Sequence, residues 1–310
     1  MAACPFLSQC GGCRYDFTAP DYHDKKMAAL PRVAMGTEPI WAPAGTRRRA
    51  DFCFAPGQFG FFQSSSKNIV PVDKCPNLRP EINEILPRIA ALPYSGAGSC
   101  LVTLCDNGID VAITSNVDYF TTEFRAAAEK LDAIRVTWNG RTVVQKSTPI
   151  IKFGDVAVEY PPNAFLQPGI EGESAMRNLV MQYADGARRV VDLFCGLGNF
   201  TYALNADGFD VSGPFTKRDL FAHPLTPGML KNYDCVVMDP PRAGATAQVA
   251  QIVKSDVERV IYVSCNPATF VRDMNALIRG GYQLTALTPV DQFVGSSHWE
   301  LVARFDRVKK

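Results

Sequence analysis

The chain has 310 residues, 32 Lys and Arg against 31 Asp and Glu, a formal charge of +1 and ten cysteines. With 47% hydrophobic and 20% charged residues it has the composition of a globular protein rather than a disordered one, and the length for two domains with separate cores. Near-zero charge excludes a protein that coats nucleic acid by bulk electrostatics, and neither an apolar run of about 18 residues nor a basic-then-apolar leader is present, so a cytosolic protein without a membrane span is expected.

Residues 1 to about 90 are rich in Gly, Pro and aromatics, and the basic run Thr46-Arg47-Arg48-Arg49 leads into DFCFAPGQFGFFQ, whose alternation predicts a hairpin. INEILPRIAALP predicts a short amphipathic helix interrupted by Pro87. Two further hairpins are predicted at CLVTLCDNGIDVAITS and AIRVTWNGRTVVQ, each with an Asn-Gly turn, and the helix TTEFRAAAEKLDA lies between them. After Tyr160 helix and strand alternate, as in a parallel α/β sheet with its ligand site at the strand C-terminal ends. GESAMRNLVMQYA and TFVRDMNALIRGG read as helices; RVVDLFCGLGNF, FDVSG, YDCVVMDPP and RVIYVSCNP contain strands. The domain boundary is placed near residue 155, dividing a β-rich region 1–155 (1–90, then a central α+β part 95–155) from 156–310.

Four stretches carry chemistry. In DLFCGLGNF, Gly196 and Gly198 let a backbone approach a ligand closely, although such a turn is often only a connector. In MDPPRAGA two prolines stiffen the loop that presents Asp239 at the end of a strand; the bland alternative is a solvated turn. VSCNPAT puts Cys265 at a strand end, where a stabilised thiolate is a nucleophile, whereas a cysteine in mid-strand is usually core. In PVDQFVGSSHWELV, Glu300 precedes an apolar strand and is a candidate general base that alone would pass for a surface Glu.

Together, DLFCGLGNF, DPPRAGA, SCNPAT and HWE, in this order and with 26 residues from Asp239 to Cys265 and 35 from Cys265 to Glu300, resemble the S-adenosylmethionine-dependent RNA uridine-C5 methyltransferases. The resemblance implies an α/β fold: a C-terminal Rossmann-like class I methyltransferase domain with a mostly parallel sheet, and an N-terminal β-rich iron–sulfur and RNA-recognition region. Cys4, Cys10, Cys13 and Cys75 resemble the four-cysteine set of the ribosomal-RNA branch. Four thiolates suit zinc or iron–sulfur, and the resemblance implies a 4Fe–4S centre acting as a staple. Cys53, Cys100, Cys105 and Cys235 read as core. TRRRADF resembles a family segment and makes Arg47, Arg48 and Arg49 candidate RNA contacts, although such a run is more often a solvated strand. NAFLQPG puts Gln167 where the family has a Gln near cofactor and RNA, with Pro168 and Gly169 less usual there. No RNA-binding barrel is expected before Cys4.

The implied reaction is methyl transfer from S-adenosylmethionine to C5 of a uridine in 23S ribosomal RNA. Cys265 would add to C6 of the uracil and Glu300 would remove the C5 proton. Gln167, Phe194, Gly196, Gly198, Asn199, Asp219 and Asp239 would bind the cofactor, with Asp239 orienting cofactor or substrate. The base must leave its stack, so the partner is a flipped uridine in a loop or single strand, met by a monomer. The chain departs from the family after Gly213. Only Pro214–Arg218 precede Asp219, too few for a helix and a strand of ordinary length. About two dozen residues, with the acid after the second strand, are absent from this sequence. If the protein itself lacks them, the sheet loses an edge strand and the cofactor binds weakly, which leaves a non-catalytic iron–sulfur RNA-binding relative as the alternative reading. A tRNA uridine methyltransferase is a second alternative, disfavoured by the cysteines.

Overall fold

Alternating apolar residues, as in RADFCFA, build the first large sheet of the protein, and uninterrupted apolar runs, as in CVVM, build the second. The structure, a computed structural model, describes residues 4–308 and divides into two compact units. The first comprises residues up to Ala28, Ala42–Glu171 and Phe293–Ser297; the second comprises Ala29–Trp41, Gly172–Gln292 and His298 onward.

The first unit holds a seven-stranded sheet in the order Ile69–Val70, Gln58–Phe62, Arg49–Ala55, Gly98–Cys105, Gly108–Ser115, Arg135–Trp138, Arg141–Gln145. All pairs are antiparallel except Gly108–Ser115 with Arg135–Trp138, which are parallel because the helix Thr122–Glu129 carries the chain back between them. Phe52, Phe54, Val102, Val111, Ile113 and Trp138 alternate onto one face and bury Ile82, Ile85, Leu86 and Ile89 of the helix Pro80–Ala90. That helix runs unbroken through Pro87, contrary to the expected interruption. Packing of its four apolar residues against the sheet offsets the backbone hydrogen bond that proline removes. Asp110 and Arg135, both buried, pair at 2.7 Å in this sheet. The hairpin Ile150–Phe153 and Val156–Glu159 completes the unit.

The second unit is an α/β domain whose eight-stranded sheet has the order Ile40–Trp41, Tyr282–Asp291, Glu300–Arg307, Arg259–Ser264, Cys235–Met238, Val190–Leu193, Asp207–Asp210, Thr216–Lys217. Glu300–Arg307 alone runs antiparallel to its neighbours. Alternate residues separate into two cores. Val191, Leu193, Val236, Met238, Val260 and Tyr262 face Val249, Ile252, Phe270 and Leu277 of two helices, Thr246–Val253 and Pro267–Arg279. Val237, Ile261, Val263 and Val302 face Met176, Leu179, Val180 and Tyr183 of the helix Ile170–Ala184. Both faces are covered, as a parallel sheet requires. Cys53, Cys100, Cys105 and Cys235 are buried. No helix among the described residues is long and apolar enough to cross a membrane.

The expected second strand, ending at Gly213, stops at Asp210. Five residues then lead to Thr216–Lys217, a parallel edge strand of two residues. A parallel crossover ordinarily spans a dozen residues or more, so this connection holds no helix and the edge strand is a remnant.

Candidate active site

Strand register brings the separate motifs of the second unit to one edge of its sheet. Leu193 lies opposite Met238, Met238 opposite Tyr262, Ser264 opposite Leu301 and Val290 opposite Glu300. Asp239 and Cys265 each follow the last residue of a parallel strand, and Glu300 begins the antiparallel one, so all three stand at the sheet's C-terminal edge. The loops that carry them are tied together. Asn266 caps the helix Pro267–Arg279 by accepting from Ala268 N at 3.1 Å, and its amide donates to Arg242 O at 2.8 Å. Asp273, buried in that helix, accepts from Ala245 N and from Tyr262 Oη, each at 2.7 Å. Gly244 turns the Asp239 loop with φ +75°, and a Cβ there would meet the Arg272 guanidinium and the Asp273 carboxylate.

The edge is electrostatically strained toward neutral side chains. Glu300 is 4% exposed, and burial, then the charge of Asp239, hold its carboxyl well above the usual range, against a hydrogen bond from Gln292. Burial pushes Asp239 up to about 7. The Cys265 thiol, half-buried, is pushed up to about 11 by burial, then by Glu300 and Asp239, with Arg242 opposing. A thiol and two carboxyls thus cluster at one sheet edge, with the carboxyls raising the proton affinity of the thiol and Asp239 that of Glu300, an arrangement typical of acid–base sites.

The glycine turn follows Leu193 on the same edge. Phe194 (φ 62°), Gly196 (φ 53°) and Gly198 (φ 96°) take left-handed backbone, and a Cβ on Gly196 would meet open space. Gly196 N donates to Asp210 Oδ2 at 3.0 Å, so an acid does close the second strand, where the sequence suggested none. Asn199 opens the next helix, and both polar atoms of its buried side-chain amide lack a hydrogen-bond partner in the structure. Together with the open Gly196 face, this fits a polar ligand laid on the turn. Asp219 is exposed and caps a turn through Phe221 N and Ala222 N. The short connection folds over the far side of the turn: a Cβ on Gly198 would meet the Phe215 ring at 2.5 Å, and one on Gly208 would meet it at 2.8 Å.

Sequence reasoning passed over Asp192, Asp210 and Gln292. Asp192 is fully buried, accepts from Thr201 Oγ1 at 2.6 Å and is pushed up to about 7, chiefly by burial. An Asp between Val and Leu in a strand was its signal. Gln292 Nε2 donates to Glu300 Oε1 at 2.8 Å.

The remaining candidates lie in the first unit. Gln167 is buried there and its carbonyl accepts from Arg48 Nε. Arg48 is buried, Arg49 donates to Leu166 O at 3.0 Å and lies over the Phe165 ring, and Arg47 Nε donates to Arg49 O. The run thus makes internal hydrogen bonds, with Arg48 buried and Arg47 and Arg49 partly exposed. Cys4, Cys10, Cys13 and Cys75 line one cavity of about 240 Å³ together with Arg47. Burial first, then the other cysteines, push the Cys13 thiol up to about 12. Among the described residues no group of three or more His, Cys, Asp or Glu is arranged to hold a single metal ion.

Comparison with known proteins accounts for this combination. Residues 217–307 match the tRNA (uracil-5-)-methyltransferase family model. A Brucella suis protein described as an uncharacterized RNA methyltransferase is 35% identical over 97% of this chain and 83% of its own length. The chain belongs to the S-adenosylmethionine-dependent RNA uracil-C5 methyltransferase family. It is therefore a methyltransferase of the RNA-modifying class. Another member, the 23S rRNA (uracil(1939)-C(5))-methyltransferase RlmD of Salmonella paratyphi A, is 29% identical over 98% of this chain and 81% of its own. The Pyrococcus abyssi tRNA (uracil-54, C5)-methyltransferase, solved with S-adenosyl-L-homocysteine, shares the fold at a TM-score of 0.73 and 20% identity, over 92% of this chain and 82% of that one. The Brucella alignment spans 345 positions, more than the 310 residues of this chain, so relatives carry residues that it lacks.

Proposed function

We propose that this methyltransferase converts one uridine of 23S ribosomal RNA to 5-methyluridine, with Cys265 as nucleophile and Glu300 as base. The observation that carries the reading is the meeting of Cys265, Glu300 and Asp239 at one sheet edge beside an open glycine turn. C5 of uracil is a poor nucleophile, and addition of the Cys265 thiolate to C6 makes it an enolate carbon. S-adenosylmethionine would supply the electrophilic methyl group that C5 takes, its S–CH3 bond breaking to leave S-adenosylhomocysteine. Glu300 then accepts the C5 proton, the C5–C6 double bond re-forms and the Cys265 thiolate departs. The turn Phe194–Asn199 would hold the cofactor, with Asp239 orienting ring or cofactor. Attack from both faces of the ring requires an extruded base, so the target lies in a loop or single strand.

The ribosomal target is supported by the Salmonella relative and by the four-cysteine cavity. Cys4, Cys10, Cys13 and Cys75 would hold a 4Fe–4S cluster, which would staple the irregular N-terminal segment. The donor set fits: four thiols line one cavity, which suits a body several atoms across, and binding cationic iron relieves the raised proton affinity of Cys10, Cys13 and Cys75. Anaerobically purified protein is expected to carry iron and acid-labile sulfide in equal amounts and to lose both in Cys75→Ser; one zinc per chain would overturn the cluster.

Mass spectrometry of RNA from a deletion strain tests the target. Loss of a single 5-methyluridine from 23S RNA, restored by the wild-type gene but not by Cys265→Ala, is the expected result. Loss from tRNA would move the substrate to that class, and no loss would leave a non-catalytic RNA-binding relative.

A further inference from the structure

We propose that Gln292 is a positioning residue for the methyltransferase reaction, holding one oxygen of Glu300 so that the other is presented to the C5 proton. The inference rests on Glu300 acting as the base and adds the group that makes it one. Glu300 is buried at the start of its strand, and Val290, opposite it, is two residues before Gln292. Gln292, itself buried, donates from Nε2 to Glu300 Oε1 at 2.8 Å. Glu300 Oε2 is buried and has no hydrogen-bond partner in the structure. The two oxygens are thus made unequal, one fixed by an amide that cannot itself take a proton and one left for the substrate.

The position of Gln292 is set from a second element. Gly172, in the helix Ile170–Ala184, packs on it so closely that a Cβ there would meet Gln292 Cβ at 2.5 Å. Only glycine leaves room for the glutamine in this place.

The charged and titratable neighbours of Glu300 push against its ionisation. Asp239 raises its proton affinity after burial has done so, and the Cys265 thiol is itself raised by Glu300. The Gln292 amide acts in the opposite sense, stabilising the carboxylate form. A base must be ionised when the C5 proton is to leave, so the amide supports both its orientation and its charge.

The test replaces Gln292 by Met, similar in length but without the donor, and uses two readouts. In Gln292→Met the Glu300 carboxyl, followed by ¹³C NMR of glutamate-labelled whole protein against a Glu300→Gln blank, is expected to titrate about one pH unit higher. Turnover is expected to fall by about 10- to 100-fold in kcat with KM for RNA unchanged, the acid limb of the kcat profile moving to higher pH. Covalent RNA–protein complex, resolved on denaturing gels, should accumulate because proton removal is delayed. Gly172→Ala, which displaces the glutamine without removing it, should shift the profile the same way. Unchanged titration of Glu300 in Gln292→Met overturns the proposal even if turnover falls. Glu300→Gln tests the underlying reading separately: wild-type kcat in that variant would mean Glu300 is not the base, whatever Gln292 does.

Discussion

Cys265 carries a cost at neutral pH, because a thiol pushed up to about 11 is almost wholly protonated, and only the thiolate adds to a ring. Its reactive fraction therefore rises about tenfold per pH unit through the neutral range. Glu300 is the largest cause of this shift after burial, so removing its charge should release the thiol. We expect iodoacetamide to alkylate Cys265 faster in Glu300→Gln than in wild type at pH 8, although that variant lacks the proposed base; equal rates would remove the coupling. Asp192 acts on stability instead. Its folded value of about 7 lies above the ordinary 3.8, so the folded chain holds a proton that the unfolded chain has lost between these values. Stability from this group is complete below pH 3.8 and is lost as pH rises through 7. Asp192→Asn should thus stabilise the fold more at pH 8 than at pH 5, by up to about 4 kcal/mol at the higher pH, read as a higher Tm. Thermal melts at the two pH values decide it.

Among the elements, the loops after the parallel strands matter most, and each is held by a different device. The Asp239 loop depends on Gly244, whose left-handed backbone and contact with Arg272 and Asp273 admit no side chain. Gly244→Ala should cost about 1–3 kcal/mol, read as a lower Tm, and should loosen the Asp239 edge. The connection from Asp210 to Thr216 is the weak element. Phe215 packs over Gly198 of the turn expected to take the cofactor and over Gly208 of the strand Asp207–Asp210, and no helix backs it. Calorimetry with S-adenosylhomocysteine should give a dissociation constant weaker than about 100 μM; micromolar affinity would defeat this. Legibility differed between such elements for physical reasons. Asp239, Cys265 and Glu300 could be placed at strand ends because each adjoins an uninterrupted apolar run, the strongest pattern a parallel sheet leaves. The strand Tyr282–Asp291 was missed because its burial alternates only weakly, YQLTALTPVD having one fully buried residue before its last three. Gln292 and Asp210 could not be read at all, since their roles depend on which strand lies alongside.

On the scale of the whole molecule, the change in pattern near Tyr160 falls a dozen residues before Gly172, where the main segment of the α/β unit begins, and it could not show that the unit is discontinuous. Ala29–Trp41, far upstream, belongs to the second unit and adds the edge strand Ile40–Trp41 beside Val290 and Asp291. Phe293–Ser297, late in the chain, belongs to the first unit. There Lys26, wholly buried, donates to Ser296 O at 2.8 Å, Asn77 Nδ2 donates to Val294 O at 2.9 Å and Gly295 N donates to Tyr22 Oη at 3.0 Å. Such pairings are long-range in sequence and leave no local trace. A fragment beginning at Gly172 should therefore melt well below the intact protein, and joining Ala29–Trp41 to it should restore part of the difference, measured by circular dichroism.

The sheet order also sets a timetable for biosynthesis. Glu300–Arg307 lies between Tyr282–Asp291 and Arg259–Ser264, and both neighbours leave the ribosome before it does. Until it inserts, each of them presents an open hydrogen-bonding edge, a state prone to mispairing with other nascent chains. The residue proposed as base begins that last strand, so the proposed site is complete only once this strand has been made and paired.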